Sequence, residues 1–181
     1  AGVCDRGIVH ARNEDAMALA ATADRAFAVL VVCDGVTSAP DSDRASLAAS
    51  RRACADLVGA TRPEGGEAVR VAHWAAAVQH SAVVANEVAV GVAHALGDPP
   101  EPPSSTFVVG VLADDLLTVG WCGDSRAYWL PDAGEGVQLT TDHSLGTEMI
   151  RAGRSRAEAE AEPTCHTITR GRGAGSVSPE A

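Results

Sequence analysis

"STFVVGVLADDLLTVGWCGDSRAYWL", residues 105–130, is the stretch on which the fold turns. Two apolar runs flank Asp114-Asp115, and a polar pair between Val- and Leu-rich runs predicts a tight turn joining two antiparallel strands. The short Gly123-Asp124-Ser125 link then leads into a third run, so the region predicts a hairpin or meander and an antiparallel sheet. Towards the N-terminus, "AFAVLVVCD" (26–34) is a continuous apolar run of the kind found in a buried strand. Residues 3–9 and 16–22 read as two more strands around the Asn13-Glu14-Asp15 turn.

Between these strands the sequence changes period. "GVTSAPDSD" (35–43) is a loop, with Ser42 or Asp43 placed to cap a helix over 44–61. From Glu67 to about Leu96, Ala- and Val-rich sequence without proline predicts a long helix that "GDPPEPP" stops. A polar helical piece is expected over 144–162. The last dozen residues, rich in Gly, Arg, Ser and Pro, have the composition of a disordered tail. The expected organisation is one domain over 1–170 and a tail over 171–181.

With 181 residues, the chain is long enough for one sizeable core, and 3% aromatic residues mean that Ala, Val and Leu must build it. A formal charge of −10 argues against a broad nucleic-acid footprint, which needs clustered cations. All 14 basic residues are arginine, which excludes the lysine of a phosphate-binding P-loop. The five cysteines have no CxxC spacing and read as free thiols of a reducing cytoplasm. With no run of about 20 apolar residues, no membrane span is expected.

Three aspartates stand at predicted turns or strand ends: Asp15, Asp34 before Gly35, and Asp124 before Ser125. Carboxylates and carbonyls suit hard cations such as Mg²⁺ or Mn²⁺, and the lack of His or Cys clusters argues against zinc. The same Asp-Gly pairs also suit plain turns. His73, His80, Glu87 and His94 recur every seven residues along the long helix, with about 10 Å between successive members, too far to share one ion. His143, with Asp142 as its orienter, is a candidate general acid by residue type, lying close to the predicted sheet end.

The order of "GIVHARNEDA", "VVCDGVTSAPDSDRAS", "SSTFVVGVL", "VGWCGDSRAYWL", "LTTDHS" and "HTITR" resembles the metal-dependent PPM (PP2C-type) serine/threonine phosphatases over about residues 3–170. It is similar to the short bacterial members. The resemblance implies an α+β fold: a four-layer α-β-β-α sandwich of two antiparallel sheets flanked by helices, here lacking the last strands. It implies two cations, Mn²⁺ or Mg²⁺, with Asp34 bridging them and the Gly35 carbonyl as a ligand. Asp15 helps to hold the centre, and Asp124 helps to bind a third, weaker cation. The catalytic expectation therefore falls on Asp34 and Asp15, and the substrate expectation on a phosphorylated protein.

For the phosphate, many members carry an arginine at the position of His10. Arg12 is the nearest guanidinium, so both residues are candidates for phosphate binding. The resemblance also implies a DG and a GGxDN-type segment beyond "ITR", which this sequence does not contain. Low turnover, weak metal affinity and a marginal fold are the corresponding expectations. A non-catalytic binding module is the alternative reading.

Overall fold

Strand β2 (Phe27–Cys33) alternates buried and more exposed residues, with Phe27, Val29, Val31 and Cys33 on the buried face. That period of two marks a strand with one face turned to the core. The computed structural model describes residues 1–8 and 12–170. In it, β1 (Ala16–Ala21), β2, β3 (Phe107–Ala113) and β4 (Leu116–Cys122) form a four-stranded sheet in the order β1-β2-β3-β4, antiparallel throughout. The β3–β4 link is the expected Asp114-Asp115 turn, with Asp114 at φ 56°. A second antiparallel pair, β5 (Tyr128–Trp129) with β6 (Val137–Gln138), forms a small separate sheet.

Two helices cover one face of the large sheet. α1 (Ser42–Gly59) packs on β1 and β2, and α2 (Glu67–Ala95) packs on β3, β4 and α1. Their contact is built from small residues: α1 buries Ala45, Ser46, Ala49, Ser50 and Ala53, and α2 buries Ser81, Ala82, Ala85 and Ala89. Small side chains let the helices approach closely, and the buried hydroxyls stay satisfied by bonding back one turn, Ser50 to the Leu47 carbonyl and Ser81 to that of Val78. The core is the Val-, Ala- and Leu-rich one that the composition requires, with Trp74 and Phe107 its largest fully buried side chains.

The opposite face of the sheet is apolar as well. Leu30, Val32, Val108, Leu112, Leu117 and Val119 line a cavity of about 380 Å³ there, rimmed by Arg126 to Trp129 and by Leu139. A sheet apolar on both faces is what a layered sandwich needs.

Four expectations are corrected. Residues 3–6 have no regular structure and 7–8 form a turn, because Asp5 bonds the Gly7 N–H locally. The third run after Ser125 does not extend the large sheet but pairs with β6. The piece at 144–162 is two helices, α3 (Leu145–Arg151) and α4 (Arg156–Glu160), separated by Gly153 at φ 96°. Neither Ser42 nor Asp43 caps α1; Asp41 occupies the cap position at φ 58°, and the Ser42 hydroxyl donates to the carbonyls of Val36 and Ala39. The tail expected over 171–181 lies outside the described residues. No described helix is long and apolar enough to cross a membrane.

Candidate active site

The ends of four strands meet at one edge of the large sheet. β1 and β3 begin where β2 and β4 end, as the pairs Ala16 with Cys33 and Phe107 with Cys122 show. Antiparallel pairing therefore gathers Glu14-Asp15, Asp34-Gly35, Ser104 to Thr106 and Gly123 to Ser125, which the sequence separates by more than a hundred positions at the extremes, from Glu14 to Ser125. Chain order hides this neighbourhood.

Backbone hydrogen bonds hold these segments together. Past the end of β2, the Asp34 carbonyl accepts from the Thr106 N–H at 2.8 Å and the Val36 N–H donates to the Ser104 carbonyl at 2.9 Å, with Gly35 bridged to Ser105 between them. The Gly35 N–H donates to the Glu14 carbonyl at 3.2 Å, which also accepts from the Ser46 hydroxyl of α1 at 2.6 Å. The Asn13 side chain accepts from the Asp15 N–H and donates to the Cys4 sulfur, whose thiol donates in turn to the Asp15 carbonyl. These bonds fix the backbone from which Asp15 and Asp34 project.

Both carboxylates open into a cavity of about 300 Å³ lined by Asp5, Arg6, Arg12, Asn13, Glu14, Asp15, Asp34, Gly35 and Thr37. A neighbouring cavity shares Asp5, Asp15 and Asp34 and adds Cys4 and Ser125. Asp34 reaches solvent through these openings. Burial nevertheless pushes its carboxyl up to about 6, helped by a hydrogen bond to Asp15 and by the charges of Asp15, Asp124 and Glu14. Asp15 thus stands close enough to Asp34 for its charge to disfavour ionisation there.

That pair is the test of whether a cation fits. Two adjacent carboxyl groups, with the Gly35 backbone beside them and further acidic groups nearby, are a donor set suited to a hard divalent ion. Among the described residues, no three His, Cys, Asp or Glu side chains converge on one metal position. The fit is one of chemistry, carried by two side chains and a backbone group.

Arg12 stands on the rim. Its guanidinium is 3.5 Å from Glu14 and 3.5 Å from Asp43, so two acids hold it beside the cavity. Of the expected site residues, Asp15, Asp34, Gly35 and Arg12 are brought to one cavity. Asp124 acts on Asp34 through its charge without lining that cavity, and His10 lies outside the described residues.

The sequence reading missed several participants. Asp5 and Arg6 join the cavity from the irregular N-terminal segment, where no periodicity signals them. His143 is 3% exposed and locks the Gly123 turn: its ring Nδ1 accepts from the Gly123 N–H at 3.1 Å, its backbone N–H donates to the Gly123 carbonyl at 2.9 Å, and its ring stacks on Trp121. Arg126 of the Gly-Asp-Ser-Arg stretch makes a two-pronged ion pair with Asp142. His143 and Asp142 thus serve the loop's architecture.

The profile of the family described as Protein phosphatase 2C matches residues 8–174. The chain belongs to the protein phosphatase 2C family. Among solved structures, the serine/threonine phosphatase PstP/Ppp of Mycobacterium tuberculosis superposes with a TM-score of 0.75 at 25% identity, over 98% of this chain and 69% of that one. The PPM Ser-Thr phosphatase MsPP of Mycobacterium smegmatis gives 0.74 at 27% identity, covering 98% and 68%. The PstP catalytic domain in complex with two manganese ions gives 0.68 at 25% identity, also covering 98% and 68%. No curated protein matches the chain. The expected phosphatase family and its mixed fold of helices and antiparallel sheets are thereby established. This PPM-type phosphatase domain spans a little over two thirds of those structures.

Proposed function

We propose that the cavity at the end of the sheet where β1 begins and β2 ends removes phosphate from serine and threonine side chains of phosphorylated proteins, with Mn²⁺ or Mg²⁺ held by Asp15, Asp34 and the Gly35 carbonyl. The observation that carries this reading is the meeting of the adjacent Asp15 and Asp34 carboxyl groups with Arg12 on one open cavity. When bound, the cations supply an activated water and offset the charge that develops on a phosphoryl group. The PstP structure with two manganese ions supports that part of the proposal.

The chain's own residues do the rest. Asp34 and Asp15 supply the carboxylate oxygens that would hold a cation. Arg12, restrained by Glu14 and Asp43, offers a planar guanidinium suited to two-point contact with a phosphate. Arg6, lining the same cavity, adds positive charge where the site is otherwise acidic. Asp124, acting on Asp34 at longer range, is placed to help a further, weaker cation. The natural setting we infer is bacterial phosphoprotein signalling in the cytoplasm, with no nucleic acid or membrane partner.

The test is release of phosphate from a phosphothreonine peptide as Mn²⁺ is titrated, with Asp34→Ala alongside. The expected outcome is turnover that requires the metal and disappears in Asp34→Ala. A folded wild-type chain that binds Mn²⁺ and the phosphopeptide but releases no phosphate overturns hydrolysis, and supports instead a binding module acting without turnover.

A further inference from the structure

Asp34 and Asp124 sit on loops that follow β2 and β4, strands that do not touch each other because β3 lies between them. Thr106, immediately before β3, occupies the gap between those loops. It is fully buried. Its N–H donates to the Asp34 carbonyl at 2.8 Å, and its Oγ1 accepts from the Asp34 N–H at 2.9 Å, so one residue grips Asp34 from both sides. The same Oγ1 lies 2.7 Å from the Ser125 hydroxyl. A threonine hydroxyl has one hydrogen and two acceptor sites, which is enough to bond both loops at once.

The methyl group is engaged as well. Gly123 turns at φ 109° around Thr106, and a Cβ added there would meet the Thr106 Cγ2 at 2.7 Å and Cβ at 2.8 Å. The hydroxyl holds the loop of Asp34 and the residue after Asp124, while the methyl shapes the turn before Asp124. No other residue is bonded to both loops in this way among the described contacts.

We infer that Thr106 is a positioning residue: by fastening the Asp34 loop to the Asp124 loop it sets the relative placement of the two carboxylates that a cation would sense together. The inference rests on the reading of this cavity as a cation-dependent phosphatase site. Residues that orient ligating side chains without touching the ion typically change metal affinity by about 10–100-fold when altered.

The experiment uses the 181-residue chain and three variants: Thr106→Val, which keeps the shape and removes the hydroxyl, Thr106→Ser, which keeps the hydroxyl, and Ser125→Ala, which cuts only the link to the second loop. Circular dichroism and thermal melting check folding. Mn²⁺ affinity is measured by calorimetry, and in metal-free protein the Asp34 amide exchange rate and the Asp124 and Ser125 amide resonances are followed by NMR.

Thr106→Val is expected to weaken Mn²⁺ binding about tenfold or more, to speed exchange at Asp34 and to shift Asp124 and Ser125, with Thr106→Ser restoring wild-type behaviour. Ser125→Ala is expected to shift Asp124 and weaken Mn²⁺ while Asp34 stays protected; it carries the test should Thr106→Val fail to fold. Wild-type affinity in both folded variants overturns the inference, as does failure of Thr106→Ser to rescue. Should the wild-type chain bind no Mn²⁺, the cation reading falls, and the metal-free spectra decide the clamp separately: unmoved Asp124 and Ser125 signals in Thr106→Val refute it.

Discussion

At Gly35 an added Cβ would lie 2.5 Å from the Glu14 carbonyl oxygen and 3.1 Å from that of Ser42, both backbone atoms that cannot swing aside. The glycine is required by close approach of three chain segments, a constraint that "VVCDGVTS" alone does not distinguish from an ordinary turn. Gly35→Ala is expected to destabilise by about 1–3 kcal/mol, the range for overpacking, and to weaken Mn²⁺ binding; thermal melts with and without Mn²⁺ measure both effects. At Asp34 the direction reverses. Replacing a carboxyl that Asp15, Glu14 and Asp124 all repel with a neutral amide removes that repulsion. Asp34→Asn is expected to raise the metal-free melting temperature and to abolish the rise that excess Mn²⁺ causes by binding only the folded state. A metal-free melting temperature below wild type would contradict the account of the pair.

At the scale of elements, the helices followed from pattern: 44–61 and 67–96 were expected, and Ser42–Gly59 and Glu67–Ala95 are observed. Ala-rich sequence ended by a Gly-Asp-Pro-Pro stop leaves little freedom. Trp74 joins α2 to the sheet, 1% exposed with its ring 5.5 Å from that of Phe27. Trp74→Ala should cost about 3–5 kcal/mol, as truncation of large buried aromatics does, read as a lower urea midpoint with an unchanged slope. The polar stretch at 144–162 misled because its charge pattern runs through Gly153, whose left-handed backbone breaks it. What restarts the helix is a capping box: the Ser155 hydroxyl accepts from the Glu158 N–H, and the Glu158 carboxylate accepts from the Ser155 N–H and hydroxyl. The Ser155 bonds hold the Glu158 carboxyl below its ordinary range. A carboxyl lowered in the folded state contributes stability above the usual glutamate range, and that contribution is lost as pH falls through the lowered folded value. An NMR titration of Glu158 should therefore give a midpoint below that of a free glutamate, and Ser155→Ala should move it upward.

Over the whole molecule, one face of the large sheet is sealed by α1 and α2, and the other carries an apolar cavity of about 380 Å³. Leu30 is 47% exposed and Val32 40% exposed on that second face, next to the ribbon of β5 and β6, where Trp129 is 52% exposed. Exposed apolar surface of this extent binds hydrophobic dyes. The 181-residue chain is expected to enhance the fluorescence of anilinonaphthalene sulfonate in its native state, and Leu30→Gln to reduce that signal without lowering the melting temperature. A dye signal that appears only on unfolding would show the face to be covered in solution.

Much of this was decided by sequence alone. Periodicity set the strands and helices, composition set a core of small aliphatic residues, and ordered short motifs marked Asp15, Asp34 and Gly35 as residues apart, because each of these signals is local. Only the tertiary structure decided who stands beside whom. Antiparallel pairing brings the Asp15 carboxyl beside that of Asp34, places Arg12 against Asp43, and sets Thr106 between two loops that chain order keeps far apart. Electrostatics and hydrogen bonding act over a few ångströms of space, whatever the distance along the chain, so a site of this kind comes into being only when the sheet closes.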